Sequence, residues 1–140
     1  DQFVRRTRTP YVGLRISNIM EPEDYAAFPS HWDDPRIRKW NLWGYVDARD
    51  VAMACDLGLT AEVEGHEVAI IAAADNCMTR DSAGLMAEVY PDVPITRELH
   101  GRETLLAIDR ARATLGYEPQ YSWSDEVAAG SAPDRRPGPA

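Results

Sequence analysis

The residues best placed to do chemistry are Ser17 and Asn18, which close the run YVGLRIS from Tyr11 to Ser17. That run has the length of a β-strand. Its Tyr, Val, Leu and Ile content predicts burial on both faces, as in a parallel sheet. Open α/β sheets receive ligands beyond the carboxyl ends of their strands. A hydroxyl and a carboxamide at that edge can exchange hydrogen bonds with a ligand's own hydroxyls. An asparagine after a strand is also a common turn former, and both roles stay open on the sequence alone. Arg15, inside the run, reads first as a structural ion pair and second as the partner of a buried carboxylate.

Other residue types offer chemistry less directly. Trp32, Trp40, Trp43 and Trp123 each present an aromatic face that can pack on a pyranose ring, although tryptophan more often anchors a core. Trp32 and Trp40 lie in an irregular stretch and are the two taken as substrate contacts. Arg36, Arg38, Arg97 and Arg102 carry the planar fork that suits phosphate or carboxylate, with solvated surface charge as the commoner role. Asp47 and Asp50 resemble a carboxylate pair, but their place at a predicted helix start reads as capping. His31, His66 and His100 are widely separated and form no metal-type spacing. Cys55 and Cys77 have neither metal nor disulfide spacing, so a reduced, cytoplasmic setting is expected. Cys77 has no obvious activating base.

These residues need elements to position them. Residues 2–8 read as the end of a helix stopped by Pro10. Helix, turn and then buried strand is one half of a βαβ crossover. From Asn18 to Trp43 the pattern is irregular, with two short helices predicted at Pro22 and at Asp34-Pro35, an N-cap acid followed by proline. A loop-rich stretch of that length is usually a lid or a binding segment. A short strand is predicted at 43–46. Asp47 then caps a helix to about Thr60, with Ala48, Ala52, Cys55 and Leu59 on one face. A second buried strand is expected at 67–74. Thr79 is expected to cap the next helix, with Ser82, Leu85, Met86 and Val89 on one face. A strand is predicted over Thr104–Ile108. Asp109 caps a helix closed by Gly116 as its left-handed residue. Ser124 caps a last turn, and residues 130–140 are predicted to be a disordered tail.

The whole is α/β in class. At 140 residues it fits one domain with a real core, and no apolar run approaches the ~18 residues of a membrane span. The net charge of −8 disfavours a general nucleic-acid binder and suits a soluble protein that handles small molecules. The absence of an initiator Met leads to the expectation that more sequence lies upstream.

Three stretches together resemble the extended short-chain dehydrogenase/reductase family, the NAD-dependent epimerase/dehydratase group. Val12-Gly13-Leu14-Arg15-Ile16-Ser17-Asn18 is similar to that family's sixth sheet strand. Gly44-Tyr45-Val46-Asp47-Ala48-Arg49-Asp50-Val51-Ala52 is similar to its strand-to-helix junction. Ile108-Asp109, followed by Leu115-Gly116-Tyr117-Glu118-Pro119 and Trp123, is similar to its closing segment. Order and spacing agree across roughly residues 2–125.

The resemblance implies the C-terminal portion of a Rossmann-type fold: the last sheet strand and helices plus a small substrate-binding region. Residues 1–18 would end the nucleotide-binding domain and 19–129 would form the substrate region. It implies NAD or NADP as cofactor, with Ser17 and Asn18 on the cofactor side. The substrate would be a sugar or nucleotide-sugar, contacted by Asn18, Trp32, Trp40 and Arg97. The family's glycine fingerprint and its Tyr-x-x-x-Lys pair are missing: no two glycines lie closer than Gly58 and Gly65, and Pro35 stands four before Lys39. The catalytic residues would therefore lie upstream, and this chain alone would be inactive. Trp43 occupies the place where nucleotide-sugar epimerases carry a diphosphate-gripping Arg, which argues against a UDP-sugar. A homodimer through an exposed strand edge is expected, with no nucleic-acid or membrane partner. The competing reading is a non-catalytic module of the same fold that senses a cofactor or partner.

Overall fold

The computed structural model describes residues 2, 6 and 9–130. Of the helix end expected at 2–8, Gln2 and Arg6 are helical and the rest lies outside the described residues, as does 131–140 of the expected tail. The architecture is mixed α/β with two small parallel sheets. Strand β1 (Tyr11–Ile16) pairs with β4 (His66–Ile71), from Tyr11 opposite His66 to Ile16 opposite Ile71. Strand β2 (Ile19–Met20) pairs with β3 (Val46–Asp47). Both pairs are parallel, so each needs a long connection, and two 3-10 helices and the first α-helix supply it.

The strand reading of 11–17 agrees with the structure; the expected burial on both faces does not. Val12, Gly13 and Leu14 are half-buried, whereas Arg15 and Ile16 are exposed. The reason is sheet size: among the described residues β1 has one neighbour, β4, and its other edge is open. Residues 17–18 turn the chain from the first sheet to the second. The Ser17 N–H donates to the Ile71 carbonyl at 2.9 Å, and the Asn18 carbonyl accepts from Val46 N–H at 3.0 Å.

The irregular stretch holds the two 3-10 helices, Pro22–His31 and Pro35–Asn41. Asp34 caps the second by accepting from Arg36 N–H, with Pro35 in its first turn. Its end is unusual. Leu42 and Trp43 both lie in the left-handed region, at φ 52° and 58°. Bulky residues there cost about 1–2 kcal/mol each. Burial of the whole Trp43 side chain, with its indole N–H on the Pro35 carbonyl at 2.7 Å, holds them in place. The strand expected at 43–46 is accordingly shorter and begins at Val46.

Helix α1 (Ala48–Thr60) is capped by Asp47, whose side chain accepts from Arg49 N–H. Its buried face is not the expected one. Asp50 and Ala54 are buried, while Ala52, Cys55 and Leu59 are exposed. The helix docks through Asp50, whose carboxylate accepts from the backbone N–H groups of Gln120 at 2.9 Å and Tyr121 at 3.2 Å. Helix α2 (Ser82–Val89) is capped by Asp81, not Thr79: its carboxylate accepts from Gly84 N–H. No strand forms over Thr104–Ile108. The loop's backbone is already engaged, with Thr104 N–H on the Ala74 carbonyl and the Glu103 carbonyl accepting from the Ser82 hydroxyl. Only an isolated antiparallel bridge joins Asp75 and Glu103. Helix α3 (Asp109–Leu115) ends at Gly116 with φ 67°, as expected, but its N-cap is Ile108, and Asp109 is an acid of the first turn in place of the cap. Helix α4 (Trp123–Gly130) takes in Ser124 and Gly130, and it is the Ser122 hydroxyl that accepts from Ser124 N–H.

Two apolar clusters anchor these elements. One gathers Tyr25, Phe28, Trp43, Tyr45 and Trp123 beneath the 3-10 segment. The other packs Val46, Ala54, Ile71, Ala111 and Tyr117 between the strands and helices α1 and α3.

Candidate functional site

The carboxyl end of β1 opens into a concavity of about 430 Å³. Its polar lining is Arg15, Ser17, Asn18 and Asn41. Ile70 and Leu106 form apolar wall, and Trp40 closes one side. The strand ends position Ser17 and Asn18, whose backbones are pinned to β4 and β3 as described above. Among the described residues no protein group bonds the Asn18 carboxamide, so its donors and acceptor stay available. The second 3-10 helix delivers Trp40 and Asn41. Trp40 is 69% exposed, which is far from a core role for a tryptophan. Asn41 donates to the Gly44 carbonyl at 2.7 Å, fixing the residue against the left-handed turn that follows.

Gly44 allows a close approach at that turn. A Cβ there would stand 2.5 Å from Leu106 Cδ1 and 3.2 Å from the Asn41 carbonyl oxygen. The close approach seats Leu106 in the wall of the concavity. Beside it lies Arg38, buried, with its guanidinium 5.7 Å from the Trp40 ring centroid. Arg38 Nε and Asn41 Oδ1 are buried without a hydrogen-bond partner among the described residues, so this corner holds desolvated polarity that the fold leaves unmatched.

The residues expected on the cofactor side, Ser17 and Asn18, and the expected substrate contacts are only partly brought together. Ser17, Asn18 and Trp40 line one concavity. Trp32 does not join them: its indole N–H donates to the Cys77 carbonyl at 3.1 Å and its half-buried ring packs 5.3 Å from Trp123, against the core. Arg97 is also elsewhere, ion-paired to Glu103 at 2.5 Å on the far side of Leu106's loop. The position expected to lack a diphosphate grip, Trp43, is fully buried. Asn41 and Leu106 were not legible as lining residues, because no spacing rule marks the end of a 3-10 helix or an irregular loop.

A second polar cluster escaped the sequence reading. Asp75 follows β4, and its carboxylate accepts from the Tyr45 hydroxyl at 2.6 Å and the Ser122 hydroxyl at 2.8 Å, with Arg102 at 3.5 Å. Burial pushes the Asp75 carboxyl upward, against those hydrogen bonds and the Arg102 charge, which pull it down. Burial and then the Asp75 charge push the Tyr45 phenol up as well. The same strand-end rule that marks Asn18 also marks Asp75. Its protein partners identify it as the clamp that fastens the segment before α4 to the core. The Cys77 thiol, fully buried, is pushed up to about 11 by that burial, which suppresses the reactive thiolate.

Of the concavity's lining side chains Arg15 alone is ionisable, and a guanidinium does not release its proton near neutral pH. A dinucleotide pyrophosphate needs a backbone cradle at a strand-to-helix turn, supplied by glycines. The described residues do not fit that requirement: 72–81, between β4 and α2, contain no glycine, and β3 runs straight into α1 at Ala48. No family model, no curated protein and no solved structure matches the chain.

Proposed function

We propose that this chain is the substrate-facing, C-terminal part of an NAD(P)-dependent sugar epimerase, dehydratase or dehydrogenase. The observation that carries the reading is the union of Ser17, Asn18 and Trp40 in one concavity at the carboxyl end of a parallel strand. Open α/β sheets hold ligands at that edge. An exposed indole with free carboxamide and hydroxyl groups around it suits a sugar ring, which has apolar C–H faces and a rim of hydroxyls. In this reading Asn18 and Ser17 orient the substrate and Trp40 covers it. In this reading the cofactor's pyrophosphate and the proton-moving residues lie outside this chain, since 72–81 give no glycine cradle for the one and the concavity's lining gives no base for the other.

The reading is tested on the full-length product of the gene. NAD and NADP reduction, which reports a dehydrogenase, and NMR of the sugar products, which reports an epimerase or dehydratase that returns its hydride, are followed with a panel of aldoses, uronates and sugar phosphates. Turnover of at least one sugar is expected, and Asn18→Ala should lower kcat/KM about 10- to 100-fold, as loss of one or two oriented hydrogen bonds does. An intact glycine loop upstream with no turnover on any sugar would favour the non-catalytic binding module instead.

A further inference from the structure

We infer that the concavity selects an anionic sugar, one carrying a carboxylate or phosphate that Arg15 receives. This rests on the reading that the concavity holds the substrate. It adds the charge class that the substrate must have.

Three observations converge. Arg15 lines the concavity and is exposed, yet it has no carboxylate partner among the described residues. That is unusual in this chain. Arg49, Arg80, Arg97, Arg102, Arg110 and Arg112 each lie within 4.0 Å of an acidic side chain. With 23 acidic residues against 15 basic ones, acids are plentiful, and most of the described arginines have one beside them, whereas Arg15 and Arg38 do not. Second, no Asp or Glu lines the concavity, so nothing in its wall competes for the guanidinium or repels an incoming anion. Third, the flanking Arg38 is buried, bonds only the Gly44 carbonyl at 3.5 Å among the described residues, and has no acidic partner there. Its charge, screened little by water, adds a positive field beside Trp40 and Asn41.

The outcome is a locally positive hollow in a protein of net charge −8. The guanidinium fork can take two oxygens of a carboxylate or phosphate in parallel, while Asn18 and Ser17 remain for the ring hydroxyls. The expected ion pair of Arg15 with a structural carboxylate is thus replaced by a ligand role.

The test measures calorimetric affinity of the full-length protein for glucose, glucuronate and glucose 6-phosphate, with inorganic phosphate as a bare-anion probe. At least one acidic sugar is expected to bind about 10- to 100-fold more tightly than glucose, the range set by a charge-assisted bidentate contact. Preference for glucuronate identifies a carboxylate, and preference for glucose 6-phosphate or phosphate identifies a phosphate. Arg15→Gln should abolish the acid's advantage, Arg15→Lys should restore part of it, and Arg110→Gln, which removes an equal charge at the Glu67 pair, should leave it intact. Glucose binding as tightly as both acids, an acid preference that survives Arg15→Gln, or no binding by any acidic probe would each overturn the inference. Arg15-dependent acid binding without conversion of any sugar, whether read as NAD(P)H or as product, would sink the enzyme reading and leave this one standing.

Discussion

Asp75 and Asp47 are both carboxylates at the ends of strands, yet the fold treats them oppositely. Burial pulls Asp47 upward, but hydrogen bonds from Arg49 and from the Tyr25 hydroxyl outweigh it and hold the carboxyl below its ordinary value of 3.8. Its contribution to stability is present above that value and is lost as pH falls through the depressed one. For Asp75, burial wins and the carboxyl is raised above 3.8. A group that holds its proton more tightly when folded contributes fully below its unfolded value, and that contribution is lost as pH rises through its folded value. Asp50 is raised in the same direction, again by burial first. The Asp75 and Asp50 contributions are therefore expected to diminish as pH rises above about 4, and Asp75→Asn, which cannot ionise, should remove the Asp75 share of that pH dependence. Urea unfolding of wild type and variant across that interval checks it; superimposable pH profiles would contradict the assignment. From sequence, the capping role of Asp47 was legible because an acid before a helix start has one dominant use. The burial of Asp50 and Asp75 was not, because their partners, residues 120–122, are remote in the chain.

At the level of elements, the second 3-10 helix and its left-handed exit decide the shape of the site. Asp34-Pro35 announced the helix start in the sequence. The exit through Leu42 and Trp43 was hidden, since positive φ at two bulky residues runs against local preference and is imposed by burial of Trp43. Gly44 then allows Leu106 to close in. Gly44→Ala is expected to push Leu106 into the concavity and to cost about 1–3 kcal/mol, the range for overpacking. Chemical denaturation should reveal that loss, together with weaker sugar binding. Wild-type stability and binding in Gly44→Ala would show that the contact is slack. The helix faces teach a related lesson. The 3.6-residue period correctly placed α1, but the apolar stripe through Cys55 and Leu59 faces outward, and a buried aspartate marks the docked side. Periodicity locates a helix; long-range partners choose its inner face.

Across the whole molecule, the parallel strand at Tyr11–Ile16 was readable from one apolar run, and a concavity lies at the residues that close it. Less readable was which of the dispersed candidates would converge. Trp40 reaches that concavity and Trp32 turns against the core, although both sit in the same irregular stretch, because the Cys77 carbonyl and the Trp123 ring capture Trp32. Arg97 is captured by Glu103. Among the described residues β1 keeps one open edge, and the face of α1 bearing Leu59 borders a hollow with Tyr11 and Leu14. No helix among the described residues is long and apolar enough to cross a membrane.

The central claim is that a sugar sits at the end of β1. Backbone and side-chain amide shifts of the full-length protein, recorded while acidic and neutral hexoses are titrated in, test it most directly. The account expects the largest shifts at Ser17, the Asn18 carboxamide, the Trp40 indole and Asn41, with little change near Trp32 or Arg97. Shifts centred instead on Pro119–Ser122 or on Thr96–Leu99, or none with any hexose, would contradict it.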